Sequence, residues 1–129
     1  LPSPYVFGYD QLPERGKVLL ITGGEKDVLS LCSHGFSAIC FNSETAKVPS
    51  TLLDQLKLRF EHLVFVYDVD ATGLRESTHR VEELKASYSV SKVVLPLAGS
   101  KQEKDVSDFF KLGGTPETLE NLIFQSFNN

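Results

Sequence analysis

Acidic residues lie in three short groups along this chain, and their types and spacing can hold a divalent metal ion. Asp68 and Asp70 directly follow the apolar run Leu63–Tyr67, which is suited to a buried strand. Ligands of open α/β sheets bind beyond the carboxyl ends of the strands, so an Asp-x-Asp there supplies two hard oxygen ligands. Gly73 follows closely and permits a tight turn before a helical pattern begins.

The other two acidic groups also follow strand-like runs. Glu25 and Asp27 come after residues 18–22, and Asp105 and Asp108 come after residues 92–96. Right-handed crossovers keep parallel strands pointing one way, so we expect their C-terminal loops to form one crevice. Carboxylates that share a crevice repel each other unless cations neutralise them. Mg²⁺ suits this site best, with Mn²⁺ as an alternative, because it accepts a few carboxylates, retains water and bridges to phosphates.

The elements that must position these residues alternate between strand-like and helix-like runs, as in a parallel sheet covered by helices. Gly35 is suited to end the first helix, and Thr115 to cap the last one. We therefore predict an α/β fold with about four parallel strands flanked by helices. The predicted strands are residues 18–22, 37–41, 63–67 and 92–96.

Length and the distribution of prolines indicate one domain of 129 residues with a short leading segment. Residues 1–15 contain three prolines and no clear periodicity, which predicts an N-terminal arm or linker. Residues 16–129 are predicted to form the domain. Because the chain begins with Leu1 and contains no Met, we expect it to be a fragment of a larger protein.

Composition excludes several classes of protein. Hydrophobic residues make up 41% of the chain and charged residues 23%, values typical of globular domains. The longest apolar runs are strand-sized, which predicts no membrane span, and no signal peptide is visible. Cys32 and Cys40 lack metal-ligand spacing and are expected to be core residues of a cytoplasmic protein. With a net charge of −4, any nucleic-acid contact must be local, metal-assisted or supplied by other domains.

The order of the motifs resembles the Toprim domain, a metal-binding catalytic domain of bacterial-type DNA primases, primase-helicases, topoisomerases and some nucleases. Residues Gly23–Leu31 are similar to the first motif of the primase branch, usually Glu-Gly-x-x-Asp before an apolar helix. Asp68–Gly73 is similar to the second motif, Asp-x-Asp with a nearby glycine. Leu95-Pro96 and Lys104–Phe110 resemble the Leu-Pro and Lys-Asp-x-x-Asp tail of primases and primase-helicases.

The resemblance implies a Rossmann-like Toprim fold and Mg²⁺-dependent nucleotidyl or phosphoryl transfer in the DNA replication of a bacterium, phage or mobile element. It implies nucleic acid and nucleotides as partners at the acidic site, and helicase or zinc-binding domains elsewhere in the same protein. The implied catalytic residues are Glu25, Asp68 and Asp70. The implied metal ligands are Asp68, Asp70, Asp27, Asp105 and Asp108, and the implied phosphate- or nucleotide-binding residues are Gly23, Gly24 and Lys104.

One position departs from the family pattern. Gly23 stands where the family carries its first-motif glutamate, often assigned as general acid or base. That group is either lost or replaced by Glu25, two residues later. Since such a group is commonly worth about 10²–10⁴-fold in rate, its loss predicts a non-catalytic metal- or nucleotide-binding Toprim module.

Other interpretations of the same residues stay open. Asp68–Thr72 also matches the Asp-x-Asp-x-Thr strand of haloacid-dehalogenase-type phosphatases, although that strand normally comes first in its domain. A receiver domain of a two-component system has a similar length, but the Lys104–Asp108 tail fits it poorly. Helix capping or favourable interaction with a helix dipole can also explain an acidic residue at a helix start. These simpler roles apply to Glu25, Asp27, Asp70, Asp105 and Asp108.

Overall fold

The structure, a computed structural model, describes residues 6–41 and 48–127. The polar composition of residues 42–47 predicts a loop, and this segment lies outside these ranges. The strands are β1 (Gly16–Thr22), β2 (Ala38–Cys40), β3 (Phe60–Val66) and β4 (Val90–Lys92). The helices are α1 (Glu25–Ser33), α2 (Ser50–Lys57), α3 (Ala71–Leu84), α4 (Val106–Lys111) and α5 (Pro116–Ser126), and a 3₁₀ turn spans Tyr9–Gln11.

The strands form one parallel sheet in the order β2-β1-β3-β4, which confirms the predicted α/β fold. Leu20 of β1 lies opposite Ala38 of β2 on one side and Val64 of β3 on the other. The chain leaves β1 towards β2 and then returns past β1 to β3, so the winding direction reverses between β1 and β3. Such a reversal opens a crevice at the carboxyl ends of the two strands.

Helices cover both faces of the sheet, and each face carries its own apolar core. Leu20 and Val64 pack with residues of α1, α4 and α5, whereas Leu19 and Phe65 pack with residues of α2 and α3. Successive strand residues point to opposite faces, so the covered part of each central strand must be apolar at every position. This requirement explains the apolar runs 18–21 of β1 and 63–66 of β3.

The fourth strand begins and ends earlier than predicted. It spans Val90–Lys92, whereas the apolar run had indicated residues 92–96. The N–H of Val93 still donates to β3, at 3.0 Å from the carbonyl of Phe65. Beyond it, Leu95 is buried without extending the strand, and Pro96 has no N–H to donate. The predicted range was therefore wrong because burial, and not strand pairing, produced the apolar pattern.

Helix ends follow the predicted capping signals. Gly35 has a φ of 91° after α1, and its N–H donates to the carbonyl of Cys32 at 3.1 Å. The hydroxyl of Thr115 accepts a hydrogen bond from the N–H of Thr118 at the start of α5. In the segment before β1, Phe7 forms an antiparallel bridge with Cys40 of β2.

A chain of side-chain hydrogen bonds joins α5 to the sheet. The Nε2 of His62 lies 2.9 Å from the hydroxyl of Ser91, which lies 2.7 Å from the hydroxyl of Ser126. Ser126 in turn donates to the carbonyl of Ile123 at 2.6 Å, and the Nδ1 of His62 pairs with the hydroxyl of Ser89. These bonds connect β3, β4 and α5, and they supply partners for the buried hydroxyls of Ser91 and Ser126.

Gly73 allows the first turn of α3 to lie directly on the end of β3. A Cβ atom at Gly73 would lie 2.0 Å from the carbonyl oxygen of Asp68, a distance that no side chain tolerates. We expect Gly73→Ala to lower the free energy of unfolding by about 3 kcal/mol, although alanine normally favours a helix over glycine by about 1 kcal/mol. Urea denaturation at fixed m-value measures the change.

Gly24→Ala is the matched control for this substitution. No atom lies within 4 Å of a Cβ built at Gly24, and its φ of −161° is open to any residue. The control is expected to cost less than about 1 kcal/mol, because alanine is a poorer helix cap. Equal effects at the two glycines would show that the close approach to Asp68 is not limiting.

Candidate metal centre

Three aspartates converge at the crevice between the ends of β1 and β3. The carboxylates of Asp27, Asp68 and Asp105 offer ligand oxygens that all lie within 4.8 Å of one another. Asp27 lies in the first turn of α1, Asp68 follows β3, and Asp105 precedes α4. The sheet topology thus brings together one residue from each of the three acidic groups in the sequence.

Asp27 is the most deeply placed member of this cluster and is only 4% exposed. Its Oδ1 accepts hydrogen bonds from the N–H of Ser107 at 3.4 Å and from the hydroxyl of Ser107 at 3.3 Å. Burial, followed by the charges of Asp105 and Asp68, raises the pKa of Asp27 from 3.8 to about 7. Sequence reasoning missed Ser107, and its only sequence signal is its place between the two aspartates of the Lys-Asp-x-x-Asp motif.

Asp68 and Asp70 differ in their surroundings although they lie two residues apart. Burial raises the pKa of Asp68, and the ammonium group of Lys104, 3.6 Å from its Oδ2, partly offsets that effect. The Oδ1 of Asp70 caps α3 by accepting from the N–H of Gly73 at 2.8 Å, and its Oδ2 lies 3.4 Å from the Lys104 ammonium. The structure therefore brings Asp68 into the cluster and gives Asp70 a helix cap and a lysine partner.

Asp105 and Asp108 form a capping box at the start of α4. Asp105 accepts from the N–H of Asp108 at 2.9 Å, while the Oδ2 of Asp108 accepts from the N–H groups of Lys104 and Asp105. The N–H of Lys104 is the main cause of a lowered pKa at Asp108. Asp105 combines capping with membership of the three-carboxylate cluster, and Lys26 lies 3.6 Å from its Oδ2. Asp108 is outside the cluster.

The predicted residues at the start of α1 lie beside the cluster. Glu25 is the first residue of α1, is exposed, and does not belong to the three-carboxylate cluster. Gly24 occupies the N-cap position without a side-chain cap, so no side chain there covers the first N–H groups of α1. Gly23 is half-buried between β1 and this cap. This turn leaves open space next to a helix N-terminus, the kind of place where phosphate oxygens bind.

A second loop holds Lys104 in position. The N–H of Val69 donates to the carbonyl of Lys104 at 2.7 Å, which joins the loop after β3 to the segment before α4. Gly99 has a φ of 84°, and a Cβ there would lie 2.6 Å from the carbonyl oxygen of Val69. Sequence reasoning did not single out Gly99, whose signal was only a glycine in a polar loop.

The donor set of this cluster fits a hard divalent cation. Carboxylate oxygens are the ligands that Mg²⁺ and Mn²⁺ prefer, and Mg²⁺ sites commonly combine a few of them with water. Burial is the main cause of the raised pKa of Asp27, and the charges of Asp105 and Asp68 add to it, so a cation beside these carboxylates would favour the ionised form of Asp27. Asp27, Asp68 and Asp105 can thus hold one ion, with Lys104 beside it.

Comparisons with known proteins identify the fold. No protein-family model matches the sequence, and no curated protein matches it. The structure is similar to the primase fragment of the bacteriophage T7 primase-helicase, with a TM-score of 0.66 and 22% identity over 97% of this chain. It is also similar to a structure of bacteriophage T7 lagging-strand DNA polymerase interacting with primase domains bound to an RNA/DNA hybrid and dTTP. There the TM-score is 0.56, with 20% identity over 96% of this chain.

These similarities confirm, at the level of the fold, the resemblance to Toprim domains of the primase and primase-helicase branch. The chain spans 48% of the first of these structures and 59% of the second, about half the length of the proteins it resembles. Within residues 6–41 and 48–127, no helix has the length and apolar content needed to cross a membrane.

The raised pKa of Asp27 predicts a pH-dependent stability in metal-free buffer. The folded state keeps its proton up to about pH 7, whereas the unfolded chain loses it near 3.8, so Asp27 favours folding most at low pH. That contribution is lost as the pH rises through about 7. Asp27→Asn should therefore raise the free energy of unfolding relative to the parent chain, by an amount that grows between pH 4 and 7 towards roughly 4 kcal/mol.

Urea titrations from pH 4 to 8 in EDTA measure this difference. Asp10→Asn, on the exposed 3₁₀ turn, is the matched control and should show no such trend. A difference between Asp27→Asn and the parent that stays constant across this range would contradict the raised pKa.

Proposed function

We propose that this chain is the Mg²⁺-dependent nucleotidyl-transfer module of a DNA primase or primase-helicase that acts in DNA replication. One observation carries the proposal. Three aspartates from separate sequence motifs meet at the switch point of a fold that is similar to a primase fragment. Ligands of open α/β sheets bind at this point, and a group of carboxylates there suits a cation that handles phosphates.

The cluster supplies the metal-binding part of this function. Asp27, Asp68 and Asp105 would hold the ion, with Mn²⁺ as an alternative to Mg²⁺. When bound, the ion neutralises the triphosphate and favours ionisation of the attacking 3′ hydroxyl. Asp70 would act from outside the cluster by positioning Lys104 and the start of α3, and Asp108 would act by ordering the backbone of Lys104.

Phosphate binding falls to groups that flank the cluster. The side chain of Lys104 is one-third exposed, and its ammonium lies 3.6 Å from Asp68 and 3.4 Å from Asp70, where it can also pair with a phosphate oxygen. The uncapped N-terminus of α1 at Gly23 and Gly24 provides backbone N–H donors on the other side. Together they would orient a nucleotide whose phosphates face the carboxylates.

Proton transfer is assigned to Glu25, the exposed carboxylate at the start of α1.

A non-catalytic module that binds metal or nucleotide is the second candidate, and a specific observation favours it. Gly23 replaces the family's first-motif glutamate, and Glu25 does not belong to the three-carboxylate cluster. The two candidates share the metal site and differ in strand synthesis.

Partners and location follow from the same proposal. We assign nucleotides and nucleic acid to the acidic crevice, and template contacts to helicase or zinc-binding domains of the same cytoplasmic protein. One of the similar structures contains primase domains bound to an RNA/DNA hybrid and dTTP, which supports this choice of ligands. The net charge of −4 means that nucleic-acid contacts of this chain must rely on the metal or on local cations.

Metal binding tests the shared part of the proposal. Calorimetric titration with Mg²⁺ and Mn²⁺ should show saturable binding that Asp68→Asn or Asp105→Asn weakens by more than about 100-fold, beyond the effect of outer-shell changes. Asp70→Asn should weaken binding by less than about tenfold, because asparagine keeps the cap of α3 and the cluster stays intact. Asp10→Asn is the charge-matched control. Equal loss in all four variants would indicate diffuse attraction by negative charge.

Primer synthesis by the protein that carries this chain tests the catalytic part. Glu25→Gln should lower the rate by about 10²–10⁴-fold with little change in nucleotide KM, because it removes a proton-transfer group and leaves the metal site unchanged. Glu61→Gln, at an exposed site on β3, is the control. Adding Gly23→Glu to Glu25→Gln should restore part of the rate. Metal binding by the parent protein, with no synthesis by the parent or by any of these variants, would establish the non-catalytic module.

A further inference from the structure

The two edges of the sheet differ in whether another chain segment pairs with them. At the β2 edge, Phe7 and Cys40 exchange two backbone hydrogen bonds of 2.9 and 3.1 Å, so the segment before β1 covers that edge. At the β4 edge, residues 6–41 and 48–127 provide no strand on the outer side. An uncovered strand with unpaired N–H and C=O groups is a template for a further strand.

The outward-facing backbone groups of this edge can be identified from its pairing. The carbonyl of Ser89 accepts from β3 at 2.9 Å, and the N–H of Val93 donates to β3 at 3.0 Å. Because residues of a parallel strand alternate in direction, the backbone groups of Lys92 and Val94 point away from β3. Val94 lies beyond the end of β4, and among the described residues its N–H has no backbone acceptor.

A cleft of about 400 Å³ runs along this edge between two helices. Val81 and Glu82 of α3 form one wall, and Leu122 and Gln125 of α5 form the other. An extended peptide fits between two such walls. A second copy of this domain fits less well, because it would bring its own flanking helices against α3 and α5.

The charges of the cleft indicate the chemistry of the peptide. Glu82 is already paired with Lys85 at 2.8 Å. Lys92 donates to the hydroxyl of Thr78 and has no ion pair with a described residue, so its charge is available to a carboxylate that enters the cleft. Beside it, Val94 is 46% exposed and offers an apolar contact. An acidic residue next to alternating apolar residues complements this surface.

We propose that the β4 edge binds an extended acidic segment of a partner protein by strand addition. A carboxylate of the segment pairs with Lys92, and alternate apolar side chains contact Val94 on one side and Leu122 on the other. The N–H groups of Lys92 and Val94 and the carbonyl of Lys92 form the new ladder. This site is separate from the acidic crevice, since it lies along the outer edge of the last strand.

Selection of phage-displayed random nonapeptides on the 129-residue chain tests the proposal. We expect enrichment of peptides with alternating apolar residues and an Asp or Glu. Val94→Pro should weaken binding of the selected peptide by about tenfold, as expected for one lost hydrogen bond. Val94→Thr is the matched control, because it keeps the N–H and the shape of the side chain. The Val94 N–H faces outward, so proline is tolerated there without loss of the strand.

Reversing the charge of Lys92 provides a second test by the same peptide selection. If a carboxylate of the peptide pairs with Lys92, the Lys92→Glu variant should enrich basic peptides instead of acidic ones. Failure to enrich any peptide, or equal affinity of the Val94→Pro and Val94→Thr variants, would overturn the proposal. Sedimentation of the parent chain as a dimer that Val94→Pro disperses would also overturn it, and would assign the edge to a second copy.

Discussion

The strand order places the loops after β1 and β3 side by side, and this placement forces carboxylates from α1, from the loop after β3 and from the cap of α4 into one crevice. Their mutual repulsion is partly relieved by Lys104 and Lys26 and by the hydrogen bonds that Ser107 donates to Asp27. Burial, and after it the charges of Asp105 and Asp68, still raises the pKa of Asp27 to about 7. The closeness of these carboxylates is thus a property of the topology, because the same contacts that complete the fold bring the negative charges together.

Acidic residues that are neighbours in the sequence take different positions in this crevice. Asp70 and Asp108 hold the starts of α3 and α4 by accepting backbone hydrogen bonds, whereas Asp27 and Asp68 direct their carboxylates towards each other. Asp105 does both. Capping therefore does not remove a carboxylate from the cluster, because Asp105 accepts the backbone hydrogen bond of α4 and still lies within 4.8 Å of the other two carboxylates.

Much of the fold could be predicted because its signals are local. The apolar runs of β1 and β3, the glycine after α1 and the cap Thr115 each have one structural solution. The bounds of β4 could not be predicted from its apolar run, since Leu95 is buried but lies beyond the end of the strand. In the site, the motifs identified the acidic residues and the edge they share. Which of them converge depends on contacts between distant loops, such as Ser107 with Asp27 and Gly99 with Val69, that no local pattern records.

The hydroxyl chain that joins α5 to the sheet has a fixed direction. The hydroxyl of Ser126 donates its single proton to the carbonyl of Ile123, so it can only accept from Ser91. Ser91 therefore donates to Ser126 and accepts from the Nε2–H of His62. A backbone carbonyl in α5 thereby selects the imidazole tautomer in β3. When His62 gains a second proton at Nδ1, only the exposed hydroxyl of Ser89 has to rotate. The attachment of α5 is consequently insulated from the ionisation of the histidine that anchors it.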